Sequence, residues 1–279
     1  ESDKQPIMLY DIESKERKDL TADLDQTCYS YAWSNDDSKI YFISPFMGTR
    51  EIFVYNFADQ SFKQVTKDLH DINAYELKGD KIYTQEVSMS HPAEIFVYDA
   101  NGEKAQGKQI SAINTEVLSK VNMGKVEERW IKTTNGEDML VWVVYPYNYD
   151  STKTYPALLF CQGGPQDMVS QFWSTRWNFQ IMAANGYIII APNRRGLPGF
   201  GLAWNEEIST NYGGNCMSDL LTAIDDICKE PYVDTDRLGC VGASFGGYSA
   251  MWLAGHHEKR FKAFIAHDGF FNMEQQYYE

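Results

Sequence analysis

Positive charge is scarce in this sequence: 25 Lys and Arg stand against 39 Asp and Glu, a formal net charge of −14 at pH 7. An acidic chain lacks the phosphate contacts and long-range attraction that a nucleic acid or an anionic membrane surface requires, so no nucleic-acid partner is expected. No apolar run approaches the roughly 18 residues that cross a bilayer, and no membrane span is expected either. The polar opening ESDKQPIMLYDIESKERKD shows no signal-peptide core. Cysteines number five (Cys28, Cys161, Cys216, Cys228, Cys240) and include no C-x-x-C spacing, so no metal and no cofactor is expected. Cys161 and Cys240 sit in apolar, strand-like runs and read as buried free thiols. Histidines also number five, which limits the choice of a catalytic base.

Aromatic residues, by contrast, are plentiful, with 18 Tyr, 15 Phe and 7 Trp, a composition suited to β structure and apolar pockets. A chain of 279 residues, 43% hydrophobic, can bury a sizeable core in one large domain or two smaller ones.

The first part repeats itself. Ile7-Met8-Leu9-Tyr10-Asp11, Ile52-Phe53-Val54-Tyr55-Asn56 and Ile95-Phe96-Val97-Tyr98-Asp99 are one motif three times, with a period in the forties. Between the copies, Tyr31 to Phe42 and Ala74 to Tyr83 each read as strand, polar turn, strand. Short strands at such a period indicate propeller blades. Two to three blades fit here, fewer than the roughly four a closed propeller needs, so residues 1–124 are expected to be the last blades of a β-propeller. A small meander sheet is the alternative.

From about residue 125 the pattern changes. Trp130 to Tyr145 reads as a hairpin turning at Asn135-Gly136. Continuous apolar runs follow at Pro156–Cys161, Tyr187–Ala191, Leu238–Gly242 and Phe264–Ala266, with helical patterns over Trp173–Ala184, Met217–Lys229 and Tyr248–Ala254. Apolar strands alternating with helices predict a mostly parallel sheet covered on both faces. Residues 125–279 are therefore expected to be an incomplete α/β domain.

Gly242-Ala243-Ser244-Phe245-Gly246 has the form Gly-x-Ser-x-Gly. As a bare pentapeptide it is a weak signal. Between a buried strand and a helix it is the signature of a nucleophile elbow, whose glycines permit the tight turn that lifts the serine hydroxyl above the sheet. Acyl transfer also needs donors aimed at the developing oxyanion. The Phe245 backbone N–H, at the helix start, is one candidate. The Gly-rich loop Gln162-Gly163-Gly164-Pro165, after an earlier strand, supplies the other, with a plain structural turn as the alternative.

The repeats, CQGGPQ, NRRGLPGFG, GASFGGY and the AHDG stretch together resemble the prolyl oligopeptidase family of serine peptidases, nearest its dipeptidyl-peptidase and acylaminoacyl-peptidase branches. The resemblance covers nearly the whole chain. It implies a propeller that filters substrates by size and an α/β-hydrolase domain that cleaves short peptides. Ser244 becomes the nucleophile, with Phe245, Gln162 and Gly163 forming the oxyanion hole. Gln162 stands where family members commonly carry Tyr or His. Phe271 and Tyr278 fall where relatives line the pocket for the residue before the scissile bond, and Tyr248 and Arg194 are further candidates there. Arg194 and Arg195 read either as structural or as meeting a substrate carbonyl. The pairs Glu127-Glu128 and Glu206-Glu207 are left unassigned as a site for the substrate amine. The expected partners are short peptides, with a homodimer possible in the full-length protein. The resemblance points to a periplasmic or extracytoplasmic location, with a cytoplasmic one as the alternative.

Ser244 needs a base and an acid. His70 and His91 lie in the repeat segment. His256 and His257 end the helix that Ser244 begins, roughly 18 Å away at 1.5 Å per residue, beyond hydrogen-bond reach. His267 and Asp268 end the next strand and read as structural. In this topology the acid and then the base follow the serine on later loops, so both are expected beyond Glu279. The expected product is a serine exopeptidase or oligopeptidase acting through an acyl-enzyme, inactive as the isolated chain. The alternatives are a noncatalytic binding module and an esterase or acylaminoacyl hydrolase on the same fold.

Overall fold

A computed structural model describes residues 3–278. The chain divides into two compact units: one runs up to Val121 and takes in Ser170–Trp173 and Pro198–Leu202, and the other comprises the remainder from Asn122 onward.

In the first unit, β1 (Met8–Tyr10) and β2 (Arg17–Asp19) form an antiparallel ribbon. Strands β3 (Tyr29–Trp33), β4 (Lys39–Phe46), β5 (Thr49–Asn56) and β6 (Ser61–Gln64) make one antiparallel meander. Strands β7 (Asp71–Lys78), β8 (Lys81–Ser88), β9 (His91–Asp99) and β10 (Lys108–Gln109) make a second. The two meanders are joined into one sheet by a parallel pairing of β5 with β7, Arg50 with Asp71. The three sequence repeats fall on β1, β5 and β9, each paired with the short strand that follows it.

Alternation explains the packing. Successive residues of a strand face opposite ways, yet Ile40, Tyr41, Phe42 and Ile43 on β4 are all buried. Ile40 and Phe42 pack with Ile7, Leu20, Phe53 and Tyr55, whereas Tyr41 and Ile43 pack with Ile52, Val65, Ile72 and Ile82. The first meander thus has two apolar faces. A short helix, α1 (Thr115–Leu118), lies near the end of this unit's first segment.

The second unit begins with the hairpin β11 (Val126–Lys132) and β12 (Asp138–Val144). Its turn contains Gly136 at φ 85° and is closed by Gly136 N–H to Thr133 O (2.9 Å). Then come β13 (Tyr155–Cys161), α2 (Phe179–Ala184), β14 (Ile188–Pro192), α3 (Leu202–Glu206), α4 (Asn215–Ile227), β15 (Val233–Ala243), α5 (Phe245–His256), β16 (Ala263–His267) and α6 (Met273–Tyr278). The helix expected from Trp173 starts only at Phe179. The Ser174 hydroxyl accepts the N–H groups of Arg176 and Trp177, and the Asn178 side chain caps the helix by accepting from Ile181 N–H.

The sheet order is β11-β12-β14-β13-β15-β16, with β13, β14, β15 and β16 parallel. The chain passes from β13 to β14 on one side and then returns to β15 on the other. With right-handed crossovers that reversal places α2 on one face and α4 and α5 on the opposite face. The point of reversal, at the carboxyl ends of β13 and β15, is where such sheets open a crevice for ligands.

Candidate active site

Cys161, the last residue of β13, pairs in register with Gly242 on β15. The loops leaving those strands, Gln162–Pro165 and the turn at Ser244, therefore lie side by side. Ser244 has φ 55° and ψ −122°, a conformation costly for a residue with a side chain. Two hydrogen bonds of 3.0 Å hold it there: its N–H donates to His267 O, and its carbonyl accepts from Tyr248 N–H. It stands at the N-cap of α5, yet its side chain makes no capping bond, which leaves the hydroxyl available above the sheet.

Close approach dictates the neighbouring glycines. A β-carbon at Gly246 would collide with the Cys161 carbonyl oxygen, and one at Gly163 would stand 2.9 Å from Ala243 O and 3.7 Å from Ser244 Cβ. Gly163 therefore lies directly against the serine. The N–H groups that open a helix have no intrahelical partners, and that of Phe245 is the first on α5.

A pocket of about 750 Å³ opens beside Ser244. Gly164 and Pro165 form one wall, Phe245 and Tyr212 another, and the loop from Asp268 to Asn272 with Gln275, Gln276 and Tyr277 of α6 completes it. Of the residues read from sequence, Phe271 lines this pocket but Tyr278 does not; its neighbour Tyr277 does. Tyr248 lies behind the lining, its ring stacked on Phe270 at 5.0 Å, and burial raises its phenol pKa. Sequence reading missed Phe270, Tyr277 and the amide-rich face of Asn272, Gln275 and Gln276, because α6 and the loop before it were not foreseen, and it missed Tyr212 from the loop before α4.

Gln162 is nearly buried and donates its side-chain amide to Asp167 Oδ2 at 3.3 Å. Its side chain is thus engaged within its own loop rather than aimed at Ser244. Arg194 and Arg195, after β14, are fully buried. Arg195 forms a two-point ion pair with Asp219, Nε to Oδ2 at 3.0 Å and Nη2 to Oδ1 at 2.7 Å. Burial works against its charge, yet the Asp219 carboxylate holds its pKa above the usual value. Arg194 lies outside the pocket lining and bonds to backbone carbonyls instead.

In this unit His256 sits at the end of α5, stacked on Trp252 at 4.0 Å with its Nδ1 at Trp252 O. His257 caps the same helix. Arg176 Nη2 donates to His267 Nε2 at 2.8 Å. Among the described residues, none of these three imidazoles forms a hydrogen bond with the Ser244 hydroxyl. Asp268 lines the pocket without pairing to His267. Cys161 and Cys240 are free and buried, with sulfurs 3.6 Å apart. Among the described residues no helix is long and apolar enough to cross a membrane.

Comparison with known proteins adds to this geometry. The sequence model of the prolyl oligopeptidase family matches residues 173–279. A dipeptidyl-peptidase 5 from Porphyromonas gingivalis is 44% identical over 277 residues, which cover 99% of this chain and 40% of that protein. A dipeptidyl-peptidase 5 from Porphyromonas endodontalis is 48% identical over 241 residues, 86% of this chain and 35% of the relative. The chain therefore spans about two fifths of the length of such relatives. Among solved structures, an acylaminoacyl peptidase from Pyrococcus horikoshii superimposes with a TM-score of 0.83 at 23% identity, over 96% of this chain and 41% of that one. At that identity the likeness speaks for the α/β-hydrolase fold.

Proposed function

This chain belongs to the prolyl oligopeptidase family, and from that premise we propose that it carries the nucleophile and oxyanion half of a serine peptidase that releases dipeptides or short N-terminal units from oligopeptides. The observation that carries the reading is the backbone of Ser244, held at φ 55° between a parallel strand and a helix N-terminus, with Gly163 against it. In this reading Ser244 Oγ attacks the peptide carbonyl, and the oxyanion faces the N–H groups of Phe245 and the Gln162–Gly163 loop. The amine leaves with a proton, and water then releases the acyl group from Ser244. The general base and its acid come from parts of the full-length enzyme outside this chain. The placement of His256, His257 and His267 supports that assignment.

The two meanders are read as consecutive propeller blades, with the β1–β2 ribbon belonging to a third. The fall of the repeats on β1, β5 and β9 supports this, and the boundary between propeller and hydrolase parts is read near residue 124. The dipeptidyl-peptidase names of the 44% and 48% identical relatives favour dipeptide release over N-acyl amino acid release.

Fluorophosphonate labelling of the full-length enzyme tests the reading. A Ser244 adduct is expected, with label and peptidase activity both lost in Ser244→Ala. Label that survives this substitution overturns the assignment. Turnover of dipeptidyl, N-acyl aminoacyl and simple ester substrates then separates peptidase from esterase.

A further inference from the structure

Arg194 is buried, and among the described residues no carboxylate forms an ion pair or hydrogen bond with it. Its neighbour Arg195 has Asp219, but among the described residues every hydrogen bond of the Arg194 guanidinium goes to a carbonyl oxygen. Nη1 donates to Arg195 O at 3.1 Å, and Nη2 donates to Gln162 O at 3.3 Å and Pro165 O at 3.0 Å. Among the described residues its Nε has no hydrogen-bond partner. A buried cation outside any ion pair is expensive, and burial lowers its pKa although the nearby Asp219 charge acts the other way. What the side chain touches accounts for its presence. It spans both ends of the loop Gln162–Pro165, and its Cζ lies 4.7 Å from the centre of the Phe245 ring. One group therefore contacts both sources of oxyanion donors. The Gln162 carbonyl also belongs to the same peptide unit as the Gly163 N–H. A cation bonded to that oxygen polarises the unit and makes the N–H a stronger donor.

We propose that Arg194 is a positioning residue for the oxyanion hole: it clamps the Gln162–Pro165 loop against Phe245 and polarises the Gly163 N–H that faces the tetrahedral intermediate. This rests on the reading of Ser244 as nucleophile.

The test compares Arg194→Ala and Arg194→Lys with Ser244→Ala in the full-length enzyme. Losing an oxyanion donor lowers kcat by about 10²–10³-fold, so Arg194→Ala is expected to lose roughly that factor with KM little changed. Arg194→Lys, which keeps the charge but reaches fewer carbonyls, is expected to recover part of it. A peptidyl boronate, which forms a tetrahedral adduct, should lose affinity in step with kcat/KM, while the dipeptide product keeps its inhibition constant. A purely structural role moves both inhibitors together, and that outcome overturns the proposal. So does an unchanged kcat in either variant. If Arg194→Ala fails to fold, the same comparison is decided on Arg194→Lys. Activity that survives in Ser244→Ala instead overturns the nucleophile reading, whatever Arg194 does.

Discussion

The backbone N–H of Ser244 donates to the carbonyl oxygen of His267 over 3.0 Å. This bond ties the turn after β15 to the end of β16, so a residue in a costly conformation is held from both flanks. The His267 imidazole points elsewhere, accepting from Arg176 and standing edge-on to Trp177 at 6.0 Å. Only the backbone of His267 serves the serine.

Removing that imidazole should therefore matter little to chemistry. In the full-length enzyme, His267→Ala is expected to keep kcat/KM within about tenfold of wild type, whereas loss of a true general base costs about 10⁶-fold. Steady-state kinetics on a dipeptidyl substrate decide it. A collapse of activity in a folded His267→Ala enzyme would make His267 the base.

The glycines around the turn divide sharply. A β-carbon at Gly246 runs into the Cys161 carbonyl oxygen, which strand pairing fixes, whereas one at Gly255, later in the same helix, meets nothing within 4 Å. Gly246→Ala is expected to prevent soluble folding or lower the melting temperature by more than 10 °C, the shift that a cost above about 3 kcal/mol brings to a domain of this size. Gly255→Ala should be neutral or stabilising by up to ~1 kcal/mol. Calorimetry on the two variants checks the contrast, and equal effects would refute it.

Asp219 offers a second stability test. It is fully buried and takes the Arg195 backbone N–H (2.8 Å) as well as the guanidinium. Asp219→Asn leaves the Arg195 charge buried and unmatched, at a cost of about 3–5 kcal/mol. Urea unfolding measures this, and a loss below about 1 kcal/mol would show that solvent or Glu137, 3.8 Å from Arg195 Nη1, takes over the charge.

Much of the sheet was legible because its strands are continuous apolar runs, which periodicity reads well. The strands at 155–161, 188–192 and 263–267, and the elbow between β15 and α5, fall where the sequence puts them. Beyond Ser244, Phe245 and Phe271, the pocket was not legible. Its far wall comes from the loop after β16 and from α6, whose Asn272, Gln275 and Gln276 carry no apolar period. Choosing between Tyr277 and Tyr278 depends on the phase of one short helix, which adjacent identical residues cannot reveal. Arg194 and Arg195 look equivalent in sequence. Only the fold shows that one meets a carboxylate and the other three carbonyls.

The first unit holds a titrating group of its own. His70, buried, bridges two carboxylates: Nε2 to Glu51 Oε2 at 3.1 Å and Nδ1 to Glu86 Oε2 at 3.0 Å. The hydroxyls of Thr66 and Thr84 donate to the same two carboxylates at 2.5 Å, and the Tyr98 ring stands edge-on to the imidazole at 6.5 Å. Burial opposes the charged form, but the bonds and charges of Glu51 and Glu86 outweigh it and raise the His70 pKa to about 10. A pKa raised on folding gives stability that is fully present below the unfolded value of about 6.5 and is lost as pH climbs through the folded value. Between those limits the folded state holds up to one extra proton, so stability falls by up to about 1.4 kcal/mol per pH unit. His70→Gln removes the titration and leaves two buried carboxylates facing each other, so it should be much less stable than wild type at pH 6. That gap should be smaller at pH 10 than at pH 6, because across this range the wild type loses the contribution linked to the His70 proton. Thermal unfolding of both proteins at pH 6, 8 and 10 reads the gap directly. A gap that stays constant or widens with pH would mean that His70 is neutral between its two glutamates.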